Sequence, residues 1–207
     1  MIVIIDCGMG NLHSVQNAVL HLGGQAEITD SAERILGAES VIFPGQAHFG
    51  KAVKELHRRG LFSCVKEKIS QKVPFLGICM GMQLLMEESE EAPGQKALGV
   101  IPGRVKRFAR GVLVPHIGWN QLKLINRPHG LFQGVKQGTH FYFAHSYYCV
   151  PADDGFVAGV TAYGAEFASS VKKDNVWGVQ FHPEKSQDAG LRILKNFLAF
   201  TKAEGGR

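Results

Sequence analysis

The chain has 207 residues, with 23 Lys and Arg against 18 Asp and Glu for a formal charge of +5, and is 45% hydrophobic and 20% charged. That balance excludes a disordered or low-complexity chain, and the length is enough to bury about 70% of the unfolded surface in a single domain over residues 1–207. The basic residues are scattered apart from a small cluster at Arg104, Lys106, Arg107 and Arg110, so no continuous face for nucleic acid is expected.

In chain order, residues 2–5 read as a buried strand, 11–22 as a helix, 40–43 as a strand, 49–72 as one or two helices, and 73–78 as a further strand running into a helix from 80 to about 88. Strand alternating with helix predicts a mostly parallel sheet covered on both faces, with chemistry at the carboxyl ends of its strands. From about residue 98 the pattern changes. Short apolar runs at 112–114, 139–144, 156–162, 167–171 and 176–181 are separated by Gly, Pro and Asn and read as strands, partly antiparallel. A closing helix over 189–200 carries Leu191, Ile193, Leu194, Phe197 and Leu198 at helical spacing, which marks core, and the tail 204–207 is expected to fray.

Gly77-Ile78-Cys79-Met80-Gly81 sits at the end of the predicted strand 73–78. A cysteine between two glycines at a strand end is the thiol counterpart of a nucleophile elbow, in which the glycines let the chain turn and hold the sulfur clear of its own backbone. Far downstream, the run 176–181 delivers His182-Pro183-Glu184 to another strand end. His182 is the favoured base and His145 the runner-up. In extended geometry Glu184 leaves the same face as His182, where a carboxylate can fix the tautomer and stabilise the imidazolium.

Pro44-Gly45-Gln46-Ala47 ends another strand and is placed to present the backbone N–H of Gln46 to a developing oxyanion, with the N–H of Met80 as the second donor. Gly8-Met9-Gly10-Asn11 lacks the third glycine of a dinucleotide loop, because position 13 is His, and reads as a tight turn with Asn11 or Ser14 capping the next helix. Cys7, Cys64, Cys79 and Cys149 are far apart without zinc spacing, so neither a metal nor a cofactor is expected. The apolar start is cut by Asp6, lacks a basic leader, and no run approaches the ~18 residues of a membrane span, so the reading is a cytoplasmic protein with usable thiols.

With these motifs in view, the chain resembles the class I (triad) glutamine amidotransferases over nearly its whole length. The segments 6–11, Pro115-His116-Ile117-Gly118-Trp119-Asn120, His145-Ser146-Tyr147-Tyr148 and 178–186 resemble in particular the glutaminase subunits of the imidazole glycerol phosphate synthase type, from histidine biosynthesis. The resemblance implies a flavodoxin-like α/β fold with a central, mostly parallel sheet flanked by helices and an additional small antiparallel sheet. It implies that Cys79 attacks the glutamine amide, His182 protonates departing ammonia and Glu184 orients His182. Gly45, Gln83, Glu91, Ser146 and Tyr147 match positions that hold the substrate. Asn11, Trp119 and Lys185 match positions facing a (βα)8-barrel cyclase, which receives ammonia through an internal channel in a heterodimer.

Three departures stand out: Gln46 and Ala47 in a loop that is usually Pro-Gly-Val-Gly, Met80 for a more usual Leu, and Cys7 where an aromatic residue is common. Two alternatives remain at this level. One is a glutaminase serving another synthase, of the pyridoxal phosphate or anthranilate type. The other is a non-catalytic scaffold or thiol protein of the same fold.

Overall fold

The computed structural model of the protein describes residues 1–125 and 130–204. The part of the tail at 205–207, expected to fray, lies outside the described residues. The chain opens with β1 (Ile2–Ile5), α1 (Leu12–His21), β2 (Ala26–Thr29), α2 (Ala32–Leu36), β3 (Ser40–Gly45), α3 (Phe49–Arg58), α4 (Leu61–Ser70), β4 (Phe75–Cys79) and the short α5 (Met80–Gln83). It continues with β5 (Glu88–Ser89), β6 (Gly103–Arg107), β7 (His116–Leu124), β8 (Thr139–His145), β9 (Tyr147–Pro151), β10 (Val157–Tyr163), β11 (Ala165–Lys173) and β12 (Val176–Val179), and α6 (Gln187–Glu204) closes it.

Strands β2, β1, β3, β4 and β12 lie side by side and parallel. Beyond β12 the sheet runs antiparallel through β11, β10, β7 and β8, so the antiparallel strands extend the parallel sheet, with β6 and β9 as a ribbon branching from β11. The sequence builds this by period-2 burial on both faces. Val3, Ile5, Val41, Phe43 and Phe75 point to the side covered by α2, α3 and α4, where they meet Ile35, Phe49, Leu56, Leu61 and Val65. Ile2, Ile4, Ile42, Leu76 and Ile78 point to the other side, onto Leu12, Val15 and Val19 of α1 and Ile193, Leu194, Phe197 and Leu198 of α6.

Local signals set the boundaries. Asn11 Oδ1 accepts from Ser14 N at 3.3 Å and caps α1, as the turn reading required. Gly60 at φ 68 splits the apolar stretch 49–72 into α3 and α4. Two predicted elements differ. The helix expected over 80–88 stops at Gln83, because Leu85 N and Met86 N bond three residues back and Glu87 N turns away to Gly103 O. Residues 112–114 form no strand. Leu113 is 80% exposed, its carbonyl accepts from the Tyr163 hydroxyl, and pairing begins only at His116.

Candidate active site

Cys79 ends β4 with φ 53 and ψ −105, one of few non-glycine residues at positive φ among those described. Holding a side-chain-bearing residue there costs ~1–3 kcal/mol, and the surrounding sheet enforces it. The flanking glycines do something other than turn the chain. A Cβ on Gly81 would stand 1.7 Å from Phe43 O, and one on Gly77 2.6 Å from Gly81 O. They let the turn pack against β3, while the unusual backbone angle falls on Cys79 itself.

Strand β12 lies directly beside β4, with Gly178 opposite Gly77 and Val179 opposite Ile78. The chain then leaves the sheet at His182, whose N–H donates to Tyr142 O at 2.9 Å. Pro183–Lys185 form a single 3₁₀ turn with proline in its first turn. Ser186 Oγ ties this turn to β8 by donating to His182 O at 2.6 Å and accepting from Tyr142 N at 3.0 Å. Glu184 therefore reaches His182 around a tight turn, and not along an extended strand as expected. Its Oε1 is 2.8 Å from His182 Nδ1, with side chains 2% and 3% exposed. Burial pushes the His182 imidazole down, but the Cys79 sulfur and the Glu184 carboxylate push it up by more, so its pKa is raised. Its Nε2 is buried without a hydrogen-bond partner, as is Glu184 Oε2. An imidazole so held can exchange a proton with a group brought to it.

Cys79 opens on a cavity of about 280 Å³. Of the residues singled out in the sequence, Gln46, Met80, Gln83, Glu91, Ser146, Tyr147 and Lys185 line it together with Cys79, and Ala47, Pro115, Ala144 and His145 complete the wall. Glu91 Oε2 accepts from Phe49 N at 2.6 Å, at the start of α3. Gly45 lies behind the wall, where a Cβ would stand 3.0 Å from Met80 Cβ. Gly10, at φ 102, lets the first loop approach Gln46: a Cβ there would be 3.2 Å from Gln46 N. Gln46 and Ala47 are not among the positive-φ residues, so this loop conformation needs no glycine at position 47.

His145 is not a free base. Its Nδ1 faces Tyr147 O at 2.8 Å and its Nε2 faces His116 Nδ1 at 3.1 Å, while His116 Nε2 faces Asn120 Nδ2 at 3.2 Å. A carbonyl only accepts and the amide NH₂ only donates, so both rings are neutral and carry their proton on Nδ1. Phe108, Phe143, Tyr163 and Phe167 surround the pair, and the titratable groups near it are His182, Tyr148 and Tyr163. Burial pushes His116 down to about 4. It pushes His145 down to about 3, helped by the charges of His116 and His182 and opposed by the Tyr147 carbonyl.

Folding free energy should therefore fall with acid. Both imidazoles titrate near 6.5 when unfolded, so their contribution is complete above that pH and is lost as pH drops toward 4 and 3, by up to ~1.4 kcal/mol per pH unit for each. His182, shifted upward, has the opposite sign: its contribution is complete below the ordinary imidazole range and fades above it. Urea unfolding at pH 7 and pH 5 should show a loss that is smaller in His116→Phe. An equal loss in that variant would refute the assignment.

One residue passed over in the sequence belongs here. Gln180, fully buried, points its Nε2 at Cys79 Sγ at 3.6 Å and accepts on Oε1 from Gln83 Nε2 at 3.2 Å. The available signal was a polar residue within the apolar run 176–181, two positions before His182. Of the residues read as partner-facing, Trp119 and Asn11 are exposed and Lys185 is half-buried at the cavity. Trp119 is 46% and Ile117 63% exposed on the same face of β7, the Trp119 ring meets Tyr142 edge-on at 6.2 Å, and Lys185 Nζ sits 6.0 Å from the Tyr142 ring centre. Asn11 is exposed at the head of α1, which packs against the Pro183–Lys185 turn.

Burial pushes the Cys7 thiol up to about 11 and raises Cys64 and Cys149 as well. Among the described residues no cluster of three or more His, Cys, Asp or Glu could hold a metal ion, and no helix is long and apolar enough to cross a membrane.

Comparison with known proteins bears on the family and the fold. Residues 3–200 match the family model described as glutamine amidotransferase class-I. A protein of Moorella thermoacetica named imidazole glycerol phosphate synthase subunit HisH is 50% identical over 204 residues, covering 99% of this chain and 97% of its own. The Methanocaldococcus jannaschii protein of the same name is 46% identical over 198 residues, covering 96% and 98%. Among solved structures, one titled as a glutamine amidotransferase superposes with a TM-score of 0.76 at 22% identity over 97% of this chain and 98% of that one. The acivicin-bound glutaminase domain of Trypanosoma brucei CTPS superposes at 0.69 and 15% identity, covering 100% and 94%. At those identities the superpositions speak for the fold, and the family model and the close relatives speak for descent: the chain belongs to the class-I glutamine amidotransferase family.

Proposed function

We propose that this chain is the glutaminase subunit of an imidazole glycerol phosphate synthase, acting in histidine biosynthesis as one domain over residues 1–207. It hydrolyses glutamine and passes the ammonia through a channel to a (βα)8-barrel cyclase with which it forms a heterodimer in the cytoplasm. The observation that carries the reading is the buried His182–Glu184 pair at 2.8 Å, with an unpartnered Nε2, in the turn that follows the strand beside the one holding Cys79 at positive φ over a cavity. The name shared by relatives 43–50% identical supports the choice of synthase.

In the reaction the Cys79 sulfur attacks the side-chain amide carbon of glutamine. The backbone N–H groups of Met80 and Gln46 receive the oxyanion. The C–N bond breaks as His182 gives its Nε2 proton to the leaving nitrogen, which departs as ammonia. Water then attacks the thioester, His182 takes its proton, and the C–S bond breaks to release glutamate and the thiolate. Glu184 holds the imidazole through both steps. The two N–H groups of Gln83 are spent on Tyr147 O and Gln180 Oε1, so its carbonyl end and the Glu91 carboxylate are what remain for the substrate ammonium. Gly45, Ser146 and Tyr147 shape the rest of the pocket, and Trp119, Lys185 and Asn11 meet the cyclase.

Glutamate release from glutamine should be slow for the purified chain and strongly stimulated by the barrel cyclase with its nucleotide ligand. Stimulation by another synthase partner instead would reassign the acceptor, and silence with every partner would end the glutaminase reading. Trp119→Ala should weaken cyclase binding by ~30-fold or more if its ring is an anchor. Parental affinity would remove it from the interface.

A further inference from the structure

One backbone carbonyl orients the polar side chains between β7 and the nucleophile. Tyr147 O accepts from His145 Nδ1 on one side and from Gln83 Nε2, at 2.9 Å, on the other. Because a carbonyl cannot donate, the Gln83 amide must present its NH₂ there. That same nitrogen has its second hydrogen bond to Gln180, so the facing atom of Gln180 must be Oε1. The Gln180 NH₂ is then left to face Cys79 Sγ, 3.6 Å away. Both amides are buried, Gln83 at 3% and Gln180 at 0% exposure, so no water competes for the bond between them. The orientation of Gln180, ordinarily ambiguous for an amide, is fixed through Gln83 by Tyr147 O.

We propose that Gln180 is a further catalytic residue: its side-chain N–H donates to the Cys79 sulfur, stabilising the thiolate before attack and after the thioester is hydrolysed. A hydrogen bond to an anion is stronger than one to a neutral acceptor, so the donor favours the states in which sulfur is charged. The 3.6 Å separation is an ordinary distance for donation to sulfur. Gln180 makes no contribution to the cavity wall, so its direct effect falls on the sulfur, and it reaches the substrate only through its bond to Gln83. It also explains why a fully polar side chain occupies the apolar run that ends in His182.

The kinetic arm of the test rests on the glutaminase reading, and the alkylation arm does not. Gln180→Glu keeps an acceptor for Gln83 and replaces the donor to sulfur with a carboxyl, while Gln180→Met keeps the volume and removes donor and acceptor without adding charge, so slowing in both variants is assigned to the lost donor. In the complex with the cyclase, either folded variant is expected to lower kcat for glutamate release by ~10-fold or more, with KM unchanged in Gln180→Glu, which keeps the acceptor for Gln83. In the chain alone, iodoacetamide at fixed pH is expected to label Cys79 more slowly by a similar factor, with Cys64 as the internal standard. Parental labelling of Cys79 in a folded variant, or a change confined to KM, overturns the proposal. If the parent releases no glutamate, the glutaminase reading fails and the labelling rates still decide the role of Gln180. A third measurement needs no change at Gln180: in a chain labelled with ¹⁵N-glutamine, the Gln180 side-chain amide signal should shift in Cys79→Ala, and an unmoved signal overturns the proposal even if both Gln180 variants fail to fold.

Discussion

Cys79→Ala should release no measurable glutamate, a loss of ~10⁴ or more in turnover, while the chain still folds and docks. Removing the nucleophile of a triad costs about as much as removing the triad, because the remaining groups have no covalent intermediate to serve. The three remaining thiols are shifted away from reactivity by burial, so none can stand in for it. Comparison with Cys79→Gly adds a structural readout. Alanine inherits φ 53 and ψ −105, whereas glycine adopts them without side-chain strain. Relief of ~1–3 kcal/mol, less the ~0.5–1 kcal/mol entropy cost of glycine, should make Cys79→Gly the more stable of two inactive variants by roughly 1 kcal/mol. Equal stability would mean that the elbow stores no strain, and residual glutamate release from either variant would mean that another group is the nucleophile.

Gly81→Ala should be the more damaging change to the fold. Its new methyl group would start 1.7 Å from Phe43 O, a carbonyl in the middle of β3, which is paired on both sides, to β1 and β4. A clash with the end of a flexible side chain is relieved by a rotamer change, but this one can be relieved only by separating the Cys79 turn from the sheet. A destabilisation of about 4 kcal/mol or more is expected, which lowers Tm by roughly 10 °C in a chain of this size. Gly37→Ala is the control. Gly37 has an ordinary φ of −79 at the end of α2, and a Cβ there would stand at a normal 3.4 Å from Glu33 O. Thermal unfolding of the pair decides the point, and a Tm for Gly81→Ala within a degree or two of the control would show that the turn can move.

The elbow and the His-Pro-Glu turn were readable because each is a local pattern with one mechanical purpose, and an apolar run before each placed it at a strand end. What the sequence concealed is decided by neighbours distant in the chain. Gly77 and Gly81 suggested where the backbone bends. Which residue takes the positive φ depends on β3 closing over Gly81, and it is Cys79. Leu84, Leu85 and Met86 have the composition of a helix, yet Leu84 and Leu85 carbonyls accept from Leu98 and Ile101, which draws the backbone into a loop pairing instead. Val112 and Val114 carried strand propensity without a strand to pair with. β2 went unread because its residues are only half-buried at the sheet edge, so they lack the burial pattern of β1. Gln180 was hidden in a run that looked like uninterrupted core, since a single sequence does not show that its amide meets a sulfur delivered by the neighbouring strand.

The pairing of β4 with β12 also governs when the chemistry can start. Gly77 and Gly178 face each other across the sheet although about a hundred residues separate them in the chain. A ribosome releasing this chain exposes Cys79 long before it has made His182 and Glu184. Through most of synthesis the polypeptide carries an ordinary thiol with no base beside it. On the proposed mechanism glutamine is safe from it until the last strand is made and takes its place between β4, to which it is parallel, and β11, to which it is antiparallel. On that mechanism, assembly of the sheet is thus the first condition for hydrolysis and docking of the cyclase the second, so an unfinished or misregistered chain spends no glutamine.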